Sequence, residues 1–152
     1  MTDTREDADR WVAARVGPGG FRTELETRTH GLVADEPRSL GGTDRGPTPY
    51  ELLLGALGSC MAMTMRMYAD RKGWPLEGVE VRLRTARSHE VDCEHCEAET
   101  VGITRIERTI ELAGPLSEEQ RSRVLEIADR CPVKQTLQRG IEVVDAGVAA
   151  EA

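Results

Sequence analysis

The sequence predicts an α+β domain of antiparallel strands with helices set between them. Three observations carry this: short runs that alternate apolar with charged residues, two long helical segments between such runs, and Gly, Pro and Asp punctuation. In chain order, residues 5–15 have the spacing of a short amphipathic helix. Residues 21–29 alternate as a strand does, and after Gly31 the run Leu32-Val33-Ala34 adds another, so the two predict an N-terminal hairpin. Residues 35–47 concentrate Gly, Pro and Asp and predict a loop. A long helix follows over 49–72, stopped by Gly73-Trp74-Pro75. Strands are expected at 78–87, where Val79, Val81 and Leu83 alternate with charges, and at 101–112. Ser117 is a natural N-cap with Glu118 and Glu119 in the first turn, opening a helix to about Arg130. Pro132 breaks and restarts that helix, and Ile141-Glu142-Val143-Val144 reads as a last strand. The expected order is ββ-α-ββ-αα-β, with residues 1–19 an extension, 20–145 the domain and 146–152 a flexible tail.

Composition narrows the function classes. A chain of 152 residues has the size of one domain, and with 39% apolar but only 3% aromatic residues its core must be built from Leu, Val, Ile, Ala and Met. The net charge of −7 argues against nucleic acid or an anionic membrane surface as the main partner. No apolar run is expected to reach the roughly 20 residues of a membrane span, and the acidic first residues do not suit a signal peptide. A cytoplasmic location is therefore expected. There, thiols stay reduced, and the four Cys suggest catalysis or metal binding rather than structural disulfides.

Two of those cysteines, Cys60 and Cys131, sit in helical segments. A thiol at a helix start has its thiolate stabilised by unpaired backbone N–H groups, and a second thiol within reach can resolve an oxidised first one. Cys131-Pro132 places a thiol at an N-cap with Pro at the first helical position, which predicts a favoured thiolate on Cys131. The helix bearing Cys60 is apolar on all sides, with Leu52, Leu53, Leu54, Leu57, Met61, Met63, Met65 and Met67 around it, so it is expected to be buried on most faces with help from a second subunit.

The stretch from Asp35 to Cys60, taken with Ile127-Ala128-Asp129-Arg130-Cys131-Pro132-Val133 and Thr136-Leu137, resembles the OsmC/Ohr family of osmotically inducible and organic hydroperoxide resistance proteins over roughly residues 20–145. The resemblance implies an intertwined homodimer with antiparallel sheets around central Cys-bearing helices. It also implies a peroxidase that prefers organic hydroperoxides, needs no cofactor, and takes its electrons from a thiol reductant such as a lipoyl protein or small dithiol. Cys60 would be the peroxidatic thiol and Cys131 the resolving one.

The family's activating groups are an Arg and a Glu, and here the chain departs. Tyr50 stands where hydroperoxide-resistance members carry the Glu, with Glu51 one place later. At about 100° per residue, Glu51 and Cys60 fall on opposite faces of a straight helix. Thr48-Pro49-Tyr50-Glu51 therefore also reads as a capping box. Arg22 is the nearest match to the family's arginine, with Arg45 its rival; a solvated strand arginine is the plainer reading of Arg22.

His89, Cys93 and Cys96 form a second constellation, with His95 between the thiols. The spacing is compatible with zinc, and Asp92 or Glu97 would add an oxygen. Three clear ligands leave a tetrahedral shell incomplete, so an exposed loop carrying redox-sensitive thiols is preferred. Three readings of the whole then compete: a thiol peroxidase, a redox-sensing or ligand-binding module of the same fold, and a zinc-stabilised partner domain.

Overall fold

A computed structural model describes residues 11–98 and 101–147. Its elements are β1 (Ala13–Val16), β2 (Thr23–Glu26), β3 (Gly31–Ala34), a 3-10 turn (Arg38–Leu40), α1 (Pro49–Lys72), β4 (Gly78–Arg84), α2 (His89–Glu94), β5 (Glu107–Ala113), α3 (Glu118–Ala128) and α4 (Pro132–Arg139). They belong to two compact units. The first takes residues up to Gly55 together with Leu83–Glu107; the second takes Ala56–Arg82 and the chain from Arg108 onward.

In the first unit β2 and β3 form the expected hairpin, with Thr23 opposite Ala34 and Glu26 opposite Gly31. Residues 13–16 depart from expectation: they are the strand β1, antiparallel to β2, rather than the end of a helix. Pairing to a neighbouring strand outweighs a weak local helix preference, and Arg15 adds an ion pair to Glu26 at 2.8 Å. Residues 5–10 of the expected helix lie outside the described residues. A second departure is α2, where a loop was expected. Its single turn and a half is too short to show apolar periodicity.

Helix α1 starts and stops where the sequence places it. Thr48 and Glu51 form a reciprocal cap, the Glu51 carboxylate accepting from the Thr48 N–H at 2.7 Å and Thr48 Oγ1 accepting from the Glu51 N–H at 3.3 Å. At the other end Gly73 adopts φ 64°, a left-handed conformation that costs glycine nothing. The Trp74 N–H then bonds back to the Ala69 carbonyl at 2.9 Å.

Within the single chain α1 is buried along one stripe, which leaves the faces expected to be covered by a second subunit exposed. Leu57, Met61, Met65 and Ala69 are buried, a single stripe at i, i+4 spacing, while Met63 and Met67 stay about two-thirds exposed. A further correction concerns hydropathy: by length and composition α1 is long and apolar enough to cross a membrane. No charged residue interrupts it between Glu51 and Arg66. A central core helix has the same property, and the buried stripe of α1 is core.

The rest of the second unit's core comes from Leu76, Val124, Ile127, Ala128 and Cys131. Strands β4 and β5 are neighbours in a two-stranded sheet, entered by the Glu77 N–H bonding to the Ala113 carbonyl at 2.9 Å. Helix α3 opens on a full capping box of Ser117 and Gln120. Residues 141–144 are not the expected strand. A strand exists only where a neighbour pairs with it, and Ile141, Val143 and Val144 are exposed and irregular.

Candidate active site

The chemistry-bearing pair lies in the second unit. Cys60, two turns or more inside α1, is half-buried, and Cys131, the N-cap of α4, is fully buried. The two thiols are close enough to shift each other's ionisation, with Cys131 as the donor partner. Pro132 at the first position of α4 fixes its backbone for the helix. Cys131 makes no regular capping hydrogen bond with its side chain, but the first-turn amides of Val133 and Lys134 still lower its thiol. The Val133 N–H serves Cys60.

The two thiols shift in opposite directions. Burial raises Cys60, but the Cys131 thiol, the Val133 N–H and the Thr64 hydroxyl together outweigh it and hold Cys60 below the ordinary 9.0. Burial raises Cys131, and donating to Cys60 raises it further, beyond what the amides of α4 recover. The favoured thiolate is therefore on Cys60, not on Cys131 as its N-cap position predicted. Burial, a tertiary property, is what reverses the order.

Two supporting residues were missed. Thr64, one turn beyond Cys60, donates to the Cys60 carbonyl at 2.7 Å and sits beside its sulfur; the i, i+4 spacing was the available signal. Asp129 ends α3 and clamps the turn that carries Cys131: it accepts from Arg108 at 2.6 Å and from Lys134. Lys134 foremost, then Arg108, overcomes partial burial and lowers the Asp129 carboxyl. Arg108 also points an N–H at the Met61 sulfur, 3.7 Å away.

The other expected residues are in the first unit, each already engaged. Glu51 caps α1, and Arg22 pairs with Glu24 at 2.9 Å on the surface. Arg45 gives its backbone N–H to Asp35. Asp35 is the hub of the loop before α1, accepting from the Thr43 hydroxyl at 2.5 Å and the amides of Glu36, Thr43 and Arg45. The Thr43 hydroxyl first, against burial, and then the amides take Asp35 from 3.8 to about 2. Gly46 closes this loop so tightly that a Cβ there would lie 2.0 Å from the Val33 carbonyl oxygen.

Tyr50, in the place of the family's Glu, donates to the buried carboxylate of Asp92 on α2. That bond, with burial, raises its phenol to about 12. Arg87 grips the same carboxylate through Nε at 2.7 Å. His89 and Cys93 meet on α2, but among the described residues no three His, Cys, Asp or Glu side chains converge to hold a metal.

The chain is thus an α+β protein with one Cys on its long helix and a second Cys beside it at the start of α4. The family model for OsmC-like protein matches residues 42–144, well over half the chain, and the chain belongs to that family. Among solved structures it is similar to an OsmC-like protein from Mycoplasma pneumoniae, with 21% identity, TM-score 0.69, and 85% of this chain and 86% of that one covered. It is also similar to an organic hydroperoxide resistance protein OsmC from Legionella pneumophila, with 18% identity, TM-score 0.57, and coverage of 82% and 87%. A third is OhrB of Bacillus subtilis, with 17% identity, TM-score 0.54, and coverage of 86% and 90%. No curated protein matches the sequence.

Proposed function

We propose that this chain is a cytoplasmic thiol-dependent peroxidase that reduces organic hydroperoxides to alcohols. The observation that carries the reading is the contact between Cys60 and Cys131, in which the more accessible sulfur is the more easily ionised. The Cys60 thiolate attacks the distal peroxide oxygen, the O–O bond breaks, and the alkoxide leaves as alcohol after taking a proton. Cys60 is then a sulfenic acid. Cys131 attacks its sulfur, water leaves, and the Cys60–Cys131 disulfide forms. An external dithiol reopens it by exchange and is itself oxidised to a disulfide.

The hydroperoxide-resistance neighbours support this substrate class, and so does the Leu- and Met-rich run around Cys60, which suits an apolar peroxide. We carry Arg22 and Glu51 as the residues the family resemblance nominates for activation. Loss of turnover in Arg22→Ala or Glu51→Gln with helix content unchanged assigns them that role. A second reading, a redox-sensing or ligand-binding module, is favoured by one observation: Tyr50, tied to Asp92, replaces the family's Glu. Peroxide consumption with dithiol decides between them. Cumene or tert-butyl hydroperoxide should be consumed faster than hydrogen peroxide, and no turnover with any of the three would leave the sensing module.

A further inference from the structure

Cys93 lies in a setting that peroxide chemistry at Cys60 leaves unused. It stands one turn after His89 on α2, its sulfur 3.3 Å from His89 Nε2. The other ring nitrogen, Nδ1, is 2.7 Å from Oε1 of Glu36, whose side chain is 6% exposed. A carboxylate can only accept, so the ring hydrogen sits on Nδ1 and Nε2 presents its lone pair to the thiol. The second Glu36 oxygen, Oε2, is buried and has no hydrogen-bond partner among the described residues. Tyr50 packs edge-on against the imidazole, ring centres 5.8 Å apart, and holds it from the α1 side. Glu36, His89 and Cys93 all line one cavity of about 420 Å³, walled by Val16, Phe21 and Pro49.

We propose that Cys93, His89 and Glu36 form a thiol-addition site for soft carbon electrophiles with an apolar body, of the α,β-unsaturated carbonyl class. His89 Nε2 takes the thiol proton as Sγ forms a bond to the β-carbon. The π pair of the double bond moves to the α-carbon, which receives that proton from His89. Nothing is oxidised or reduced and no group leaves, so no co-reactant is needed. Glu36 is a positioning residue: it fixes the imidazole tautomer, and its unpartnered oxygen accepts from a hydroxyl or N–H on the ligand. The apolar walls take the hydrocarbon body, while Asp35, Glu36 and Glu94 in the lining disfavour an anionic ligand.

The test uses the full chain carrying Cys60→Ser and Cys131→Ser, so that Cys93 and Cys96 are its only thiols. N-phenylmaleimide and a carboxylate-bearing maleimide are added separately, and adducts at each thiol are timed by peptide mass spectrometry. Cys96, exposed on the same segment, is the internal control. Cys93 should react with N-phenylmaleimide on the order of 100-fold faster than Cys96, the scale of general-base assistance, and should prefer it to the anionic reagent. His89→Ala should bring Cys93 down to the Cys96 rate, with added imidazole restoring part of the loss. Glu36→Gln should slow Cys93 about tenfold, and Glu36→Asp should recover it in part. Equal rates at the two thiols before any change at His89 or Glu36 overturn the proposal even if those variants fail to fold. Stoichiometric zinc that His89→Ala removes overturns it as well.

Discussion

Cys131 acts as the donor partner of the Cys60 sulfur, and this one contact lowers the pKa of Cys60 while raising that of Cys131. Removing the donor should undo half of that arrangement. In Cys131→Ala, Cys60 should titrate higher and alkylate about fivefold more slowly at pH 7, the effect of one hydrogen bond of ~1 kcal/mol. The sign follows from Cys60 being depressed in the intact pair: its thiolate persists below the ordinary pH range and is lost as pH falls. An unchanged pH profile of alkylation would show that the α4 amides and Thr64 set the ionisation alone.

The division of labour gives a second expectation. Cys60→Ser should reduce peroxide turnover to background, whereas Cys131→Ser should still consume one equivalent and accumulate a sulfenic acid, detectable by dimedone labelling. Multiple turnover by Cys60→Ser under a dithiol would remove Cys60 from the chemistry.

Asp35 sets an acid limit. A carboxyl at about 2 in the fold and near 3.8 when unfolded stabilises the fold above 3.8, and that stabilisation drains away as pH falls toward 2. The Tm of the protein should therefore drop through this window, and Asp35→Asn should lower Tm at pH 7 while flattening the drop. Parallel Tm curves for the two proteins would assign the acid sensitivity elsewhere.

Assembly is tested at the uncovered side of α1. Met63 and Met67 are 63% and 64% exposed, so a homodimer burying more than ~2,000 Å² in total is expected to cover them. Light scattering should report a dimer, and Met63→Glu should shift it toward monomer with loss of turnover. A fully active monomer in dilute solution would remove the dimer from the proposal.

The sequence made legible whatever local chemistry determines. Thr48 with Glu51, Gly73, Ser117 with Gln120, and Pro132 each mark a helix boundary where the backbone has one, because caps and breakers act within a turn. What depends on a distant partner was not legible. Residues 13–16 became a strand because β2 is beside them, and Ile141 to Val144 did not because no strand among the described residues pairs with them. Within the site, the two cysteines stood out by their motifs, but which one ionises was decided by the burial of Cys131, a tertiary quantity. The Arg108 to Asp129 and Glu36 to His89 contacts join residues whose approach no spacing rule announces.

The difference in burial between the two sulfurs also fixes an order of events. In the proposed cycle a dissolved oxidant would meet Cys60 while the fully buried Cys131 is shielded from it, so the concealed thiol would stay reduced until its neighbour has reacted. Position alone would then act as a one-way valve, suppressing damage to Cys131 from solvent and leaving it to react with the oxidised sulfur beside it.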